Sequence, residues 1–253
     1  MQFIQNAYLN RARIKKLRDT DPATSTMDTY HAIVMDTYDT VCHVKNRLGG
    51  QYLSGCHVMD GQKYLCMDEL MEDISKHECL VYSFGIGGDW SFEDIIADLG
   101  CKVHAYDPTI DHAEARGTNI RFKKIGVVGD PSNDKSYQTL DQILKDNHHT
   151  DTKISYLKLD IETHELTGLP IWLKSGALNN VEQLAIEVHL EPPEKKVTLE
   201  FMQTFKDLEL QGNFRIFNWE ANNCWKNYNR NYDYFGLIEI VLKKINLNSS
   251  CAS

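Results

Sequence analysis

Residues 80–108 read LVYSFGIGGDWSFEDIIADLGCKVHAYDP. The apolar run Leu80–Phe84 has the length of a strand and breaks into glycines at Gly85, Gly87 and Gly88. Ser91–Leu99 then places its apolar residues at helical spacing, and a second apolar run, Val103–Tyr106, ends on Asp107. The order is strand, tight turn, helix, strand, acid. Glycines let the backbone approach a ligand closely, and a helix start offers unpaired N–H groups. A carboxylate at the tip of the second strand suits the two hydroxyls of a ribose. The stretch therefore points to a nucleoside cofactor.

Downstream, apolar strand-like runs lie at 80–85, 102–106, 120–128, 154–160, 182–190, 214–219 and 235–243. Helix-like segments at 91–99, 139–147, 163–175 and 197–210 separate the earlier ones. Alternation of this kind predicts an α/β fold, a parallel sheet with helices on both faces. No helical period separates the last two runs, so they read as antiparallel neighbours. A mostly parallel sheet that ends in an antiparallel hairpin resembles the Rossmann-like fold of class I methyltransferases.

Upstream, helical patches are expected near 3–18 and 27–42. Residues 43–79 are rich in glycine, cysteine and histidine and read as an irregular cap, with a turn at Asp60-Gly61 between two short strands. The expected organisation is an N-terminal helical and cysteine-rich cap over 1–79, a cofactor-binding domain over 80–246, and a tail over 247–253. Four of the seven cysteines, Cys42, Cys56, Cys66 and Cys79, crowd the cap without CxxC spacing, which disfavours zinc. Disulfides and free buried thiols are both compatible with that pattern.

A net charge of −9 argues against a nucleic-acid surface, which needs a basic face. No apolar run has the length to span a bilayer, and the first residues lack the apolar core of a signal peptide. The chain as it stands reads as soluble, or as one whose targeting segment is absent.

The candidate cofactor residues are Phe84, Gly85, Gly87, Asp89 and Trp90 around the turn, Asp107 for ribose, Gly126 and Val127 for an adenine ring, and Asp160. Gly85 and Asp107 stand 22 residues apart, a spacing that dinucleotide sites share. Asp89-Trp90 follows the glycines where a GxGxxG pattern would carry its third glycine. That weighs against a nicotinamide cofactor and is compatible with S-adenosylmethionine.

The fourth strand ends Leu159-Asp160-Ile161-Glu162 and the fifth ends Ile186-Glu187-Val188-His189. Ligands of open α/β sheets bind beyond such carboxyl ends, and a charge at the tip of an apolar strand is costly unless paired or working. Asp160, Glu187 and His189 are therefore expected to converge as catalytic residues. Two roles stay open. His189 serves as a base toward a substrate hydroxyl, or Asp160 and Glu187 hold a divalent cation, magnesium or manganese, that acidifies it. The segment 217–235, with Phe217, Trp219, Trp225, Tyr228, Tyr232, Tyr234 and Phe235 among asparagines, suits a sugar or a core-filling turn.

LVYSFGIGGDWSFEDIIADLGCKVHAYDPT, YLKLDIETHE and GCHVMDGQKYLCMDE resemble the animal methyltransferase-like protein 24 group and its invertebrate relatives. KLDIE is also similar to the KxDxEG motif of FkbM-type O-methyltransferases, with Thr163 where that group has glycine. The resemblance implies a class I fold, S-adenosylmethionine as cofactor, and, from some relatives, methylation of hexose hydroxyls of glycans in the secretory pathway or Golgi lumen. A sugar or glycan acceptor follows from it. The competing readings are a methyltransferase-fold binding module without catalysis, and a nicotinamide-dependent oxidoreductase.

Overall fold

The computed structural model describes residues 15–16, 18–21, 41–55, 57–132, 134–189, 195–222, 226–229, 232–235 and 237–245. The helices expected near 3–18 and 27–42 lie almost wholly outside them. Before the main sheet come β1 (Lys45–Leu48), β2 (Gln51–Leu53), β3 (Val58–Asp60), β4 (Lys63–Cys66) and α1 (Met67–Ser75). These strands are nested, β1 pairing with β4 and β2 with β3, all antiparallel. This corrects the expectation of an irregular segment. Asp60-Gly61 does separate two strands, but each pairs elsewhere. Gly49 and Gly50 adopt φ +74° and +91°, which lets the chain turn from β1 into β2.

The main fold follows as β5 (Leu80–Phe84), α2 (Ser91–Asp98), β6 (Lys102–Tyr106), β7 (Ala115–Arg116), β8 (Ile120–Lys123), β9 (Gly126–Val127), β10 (Tyr137–Gln138), α3 (Leu140–Asp146), β11 (Tyr156–Leu159), α4 (Glu165–Ser175), β12 (Gln183–His189), α5 (Lys195–Leu210), β13 (Phe214–Ala221), β14 (Lys226–Asn229), β15 (Tyr232–Phe235) and β16 (Leu237–Lys244). Eight strands form one sheet in the order β13-β16-β12-β11-β5-β6-β8-β7. The block β12-β11-β5-β6-β8 is parallel, and β16 enters antiparallel between β12 and β13. The late antiparallel pair is thus present. The run expected at 120–128 is two strands, because the chain leaves the sheet after Lys123 and Gly126–Val127 pairs with Tyr137–Gln138.

Every residue of β5 is buried, as a central parallel strand covered on both faces requires. Tyr82, Phe84, Tyr106, Leu159 and Trp172 belong to one core with α3, α4 and α5. Val81, Ile96, Val103, Phe122 and Tyr156 belong to the other, with α1, α2 and β4. Each large apolar side chain so buried contributes about 1.5–3 kcal/mol. Thr139 caps α3 by accepting from Gln142 N, and α4 stops at Gly176 in the left-handed region. Among the described residues two disulfides, Cys42–Cys66 and Cys79–Cys101, tie the segment before β1 to β4 and the start of β5 to that of β6.

Candidate active site

The turn after β5 runs close against the end of β11. Gly85 takes φ +79°, and a Cβ there would lie 1.6 Å from the carbonyl oxygen of Asp160. Lys158, buried beneath the turn, donates from Nζ to Gly85 O and lies 3.6 Å from Glu93 Oε1, which also accepts from Ser83 Oγ. A buried lysine in the apolar run Tyr-Leu-Lys-Leu therefore anchors the turn to β11.

Asp107 sits at the carboxyl end of β6, buried. Its Oδ2 accepts from Ile86 N at 2.8 Å and Gly87 N at 2.9 Å, and its Oδ1 from Thr109 N at 2.7 Å and Thr109 Oγ1 at 2.6 Å. Burial pushes this carboxyl up, but the Gly87 and Thr109 hydrogen bonds outweigh it and hold it below the ordinary carboxylate range. All four acceptor positions of the carboxylate are engaged by the protein. Asp107 shapes the glycine turn directly, and a ribose hydroxyl here would exchange with the rotatable Thr109 hydroxyl.

Between the turn, Asp107 and the β9–β10 pair lies a cavity of about 240 Å³. Phe84, Gly85, Gly87, Asp107, Gly126, Val127 and Asp160, all expected from the sequence, line it. Asp89 and Trp90 do not. Asp89 Oδ1 accepts from Ser91 N at the start of α2, and Trp90 packs its ring on His112 and Phe122 under Arg116. Tyr137 and His164 join the lining without having been singled out in the sequence. Tyr137 approaches because Gly126 has no side chain, a Cβ there falling 2.4 Å from its ring.

Asp160, at the end of β11, lies beside Glu187 of β12, and Lys63 of β4 reaches in to Glu187 at 3.6 Å and to Glu239. Burial raises Glu187, Lys63 opposes, and Asp160 raises it further, to about 7. Burial also pushes Asp160 up, but Lys63 and Lys158 outweigh it and hold it below the ordinary carboxylate range. His189 donates from Nδ1 to Glu165 Oε1 at 3.1 Å and lies 3.4 Å from Glu162 through Nε2. Burial lowers His189, yet Glu165 raises it more, to about 9, so the ring is an imidazolium at neutral pH. Asp160, Glu162 and His189 each offer a ligand atom within 4.8 Å of the others. The expected convergence of Asp160, Glu187 and His189 is observed. Glu162, Glu165 and Lys63 complete it.

Glu162 and Thr163 both take positive φ, +51° and +78°, before α4 begins. Threonine thus adopts a glycine-like conformation where FkbM-type sequences carry glycine. In the late aromatic segment, Phe217 is fully buried and Trp219 packs at the edge of the core, so these two fill the interior. β14 and β15 form an antiparallel hairpin emerging at the edge of His189, since Ala221 and Leu237 flank that residue's row. Trp225 lies outside the described residues.

The strand order, the glycine turn and the acid-tipped fourth and fifth strands together define a class I methyltransferase fold. Residues 6–238 match a family model described as "Methyltransferase domain", and the chain belongs to that family. The chain is 28% identical over 174 residues to human "Probable methyltransferase-like protein 24", covering 60% of this chain and 46% of that protein. Against the rat protein of the same name, identity is 30% over 174 residues, covering 60% and 47%. The resemblance read from SFGIGGDWSFE is borne out, and the chain spans about half the length of these curated relatives. Among solved structures it is similar to a chain of a fibrillarin/Nop5p complex, at 15% identity and TM-score 0.40, over 78% of this chain and 90% of that one. Among the described residues no helix is long and apolar enough to cross a membrane.

Proposed function

We propose that this methyltransferase is S-adenosylmethionine-dependent and methylates a hydroxyl oxygen, of a hexose or glycan. The observation that carries the reading is the contact between the cavity and the Asp160–Glu187 pair. One wall is glycine backbone and apolar surface suited to a nucleoside, and Asp160, against which the Gly85 turn lies, brings a carboxylate to the same cavity with Glu187 beside it. A built Cβ at Gly87 or Gly88 would meet nothing within 4 Å, so the turn leaves open space for a ligand beside its backbone.

When bound, S-adenosylmethionine supplies an electrophilic methyl group. Gly85, Gly87, Gly126 and Val127 hold the nucleoside, and Asp107 keeps the turn in shape for it. Asp160 orients the acceptor hydroxyl, and alignment of that oxygen with the methyl carbon is the main catalytic contribution. The Asp160–Glu187 pair would take up the proton that the acceptor hydroxyl gives up, Glu187 being raised to about 7. His189, protonated and held by Glu165, positions this pair and offsets its charge. Asp160 and Glu187 were the expected cation ligands, but the ligand atoms that gather within 4.8 Å are those of Asp160, Glu162 and His189, and these would hold a divalent cation, manganese or magnesium, with His189 deprotonated at Nε2. His189 Nδ1 is tied to Glu165, which leaves Nε2 toward the two carboxylates. Two buried disulfides support folding in an oxidising compartment such as the secretory lumen.

The test is calorimetric titration with S-adenosylhomocysteine, with NAD as control, on the wild type, Asp107→Ala and His189→Ala. Micromolar binding of S-adenosylhomocysteine alone, weakened in Asp107→Ala and retained in His189→Ala, is the expected result. Equal binding of NAD, or none of either, overturns the cofactor assignment. Turnover of hexose acceptors with and without manganese then tests the oxygen acceptor and the metal.

A further inference from the structure

The glycine turn and the segment Asp107–Thr109 line the cofactor cavity together. Each runs on, away from the cavity, into a different part of the chain. The turn enters α2 through Trp90, which takes the N-cap position of that helix. Thr109 leads through His112 to β7, a strand of two residues, too short to fix the segment before it. Beside the cavity the two segments are tied by Asp107, which accepts from Ile86 N and Gly87 N on one oxygen and from Thr109 on the other. Farther out they are tied a second time.

The outer tie is built on Arg116. Its Nε donates to Asp94 Oδ1 and its Nη2 to Asp94 Oδ2, each at 2.7 Å, so the guanidinium forks onto the first turn of α2. The same guanidinium carbon lies 5.0 Å from the centre of the Trp90 ring. His112 packs on that ring with centroids 4.5 Å apart. His112 Nδ1 donates to Ala113 O at 2.8 Å, which leaves Nε2 to accept from Arg116 Nη1 at 3.4 Å. Only a planar guanidinium can grip a carboxylate with two parallel bonds and lie over an aromatic ring at once; a lysine ammonium is a point charge. The Arg116 and Asp94 side chains are 35% and 42% exposed, and exposed ion pairs contribute little to folding. The consequence of the tie is therefore local. It closes a frame in which the turn and the Asp107–Thr109 segment are held at both ends.

We infer that Arg116, acting through Trp90 and Asp94, is a positioning residue of the cofactor cavity, holding the Asp107–Thr109 segment against the glycine turn so that this wall is set before a ligand arrives. The inference rests on the methyltransferase reading for the identity of the ligand, and the frame itself is measured without one. Amide hydrogen exchange read by NMR follows Ile86, Gly87 and Thr109 in the free wild type, Arg116→Lys, Asp94→Asn and Lys124→Gln. Lys124→Gln breaks the exposed Lys124–Asp111 pair, which joins the same segment to the end of β8 without touching α2, and is the control. Calorimetry with S-adenosylhomocysteine, and thermal unfolding, are run on the same four proteins.

Exchange at the three amides is expected to quicken about fivefold in Arg116→Lys and Asp94→Asn, the size that losing one exposed cation–π contact or ion pair gives. S-adenosylhomocysteine affinity should fall by a similar factor, with melting temperatures nearly unchanged and with Lys124→Gln like the wild type in every respect. In turnover the loss should appear in the KM for S-adenosylmethionine and leave kcat in place. Unchanged exchange in both variants overturns the inference. So does faster exchange with undiminished S-adenosylhomocysteine affinity, or an equal loss in Lys124→Gln, which would make the effect one of surface charge. Faster exchange in both variants of a protein that binds no S-adenosylhomocysteine supports the frame and overturns the cofactor reading instead.

Discussion

Gly85→Ala and Gly88→Ala place the same methyl group three residues apart in one turn, and the geometry separates their consequences. Both glycines hold positive φ, +79° and +90°, so each substitution carries a left-handed cost of about 1–2 kcal/mol. At Gly88 nothing lies within 4 Å of the added carbon. At Gly85 the carbon would fall 1.6 Å from Asp160 O and 3.2 Å from Asp160 Cβ. The obstacle is backbone, fixed by Asp160 N donating to Phe84 O and by the β5–β11 ladder, so it cannot swing aside. Forcing the strand ends apart adds about 1–3 kcal/mol. Gly88→Ala should then lose about 1–2 kcal/mol and Gly85→Ala about 2–5 kcal/mol. At roughly 2–4 °C per kcal/mol for a domain of this size, the melting temperatures should differ visibly by circular dichroism. Gly85→Ala should also abolish S-adenosylhomocysteine binding, because Asp160 and the turn move together. Equal melting temperatures for the two variants would refute the close approach and, with it, the turn as the floor of the cavity.

Thr163→Gly should raise stability by up to about 1 kcal/mol, since relief of φ +78° on a β-branched residue exceeds the extra chain entropy of glycine; a lower melting temperature would contradict this. His189, raised to about 9 from 6.5, stabilises the fold fully below pH 6.5, and that contribution is lost as pH rises through 9. The gap is worth roughly 3 kcal/mol, so His189→Gln should flatten the decline in urea-unfolding stability across that window. Glu187, raised to about 7 from 4.5, gives a separate decline at lower pH that His189→Gln should leave in place. Cys79→Ser with Cys101→Ser opens a loop of sequence separation 22 and should cost about 3 kcal/mol in guanidinium unfolding; an unchanged midpoint would place the bond outside the stabilising set.

The order of the sheet was legible because its strands are short apolar runs with punctuation. Leu80–Phe84 stops at glycine, Tyr156–Leu159 stops at Asp160, and Gln183–His189 stops at a charge, so both the strands and their functional ends show locally. Lys158 carried a readable signal too, a cation at an inward position of an apolar strand. Lys63 carried none. It sits in an unremarkable Gln-Lys-Tyr-Leu, and its importance comes from contact with Glu187 and Glu239, far along the chain. The strands β1 and β2, and the nested pairing of all four, were missed for a related reason. Three or four residues among glycines have no period to read, and nested pairing joins Lys45 to Cys66 rather than neighbours. Asp89 and Trp90 were placed on the cofactor because they follow the glycines, but the helix start after them needs a capping acid and a buried ring.

Lys63 also bears on why cap and sheet belong to one site. Asp160, Glu187, Glu239 and Glu220 in a row would repel one another and, with their burial, destabilise β12 and β16 if the sheet stood alone. The cap supplies the compensating groups: Lys63 from β4, Arg47 from β1, and Gln62 before β4. Removing one partner of a buried charge group costs about 3–5 kcal/mol, mostly through the charge left behind. The Cys42–Cys66 bond closes β4 onto the start of the same cap, and Gln183 clasps Cys66 through both its amide groups, at 2.8 and 2.7 Å. Reduction of that disulfide therefore loosens the strand that carries Lys63. Stability of the cap and charge balance along this row of carboxylates are thus one physical quantity, set by how firmly β4 is held.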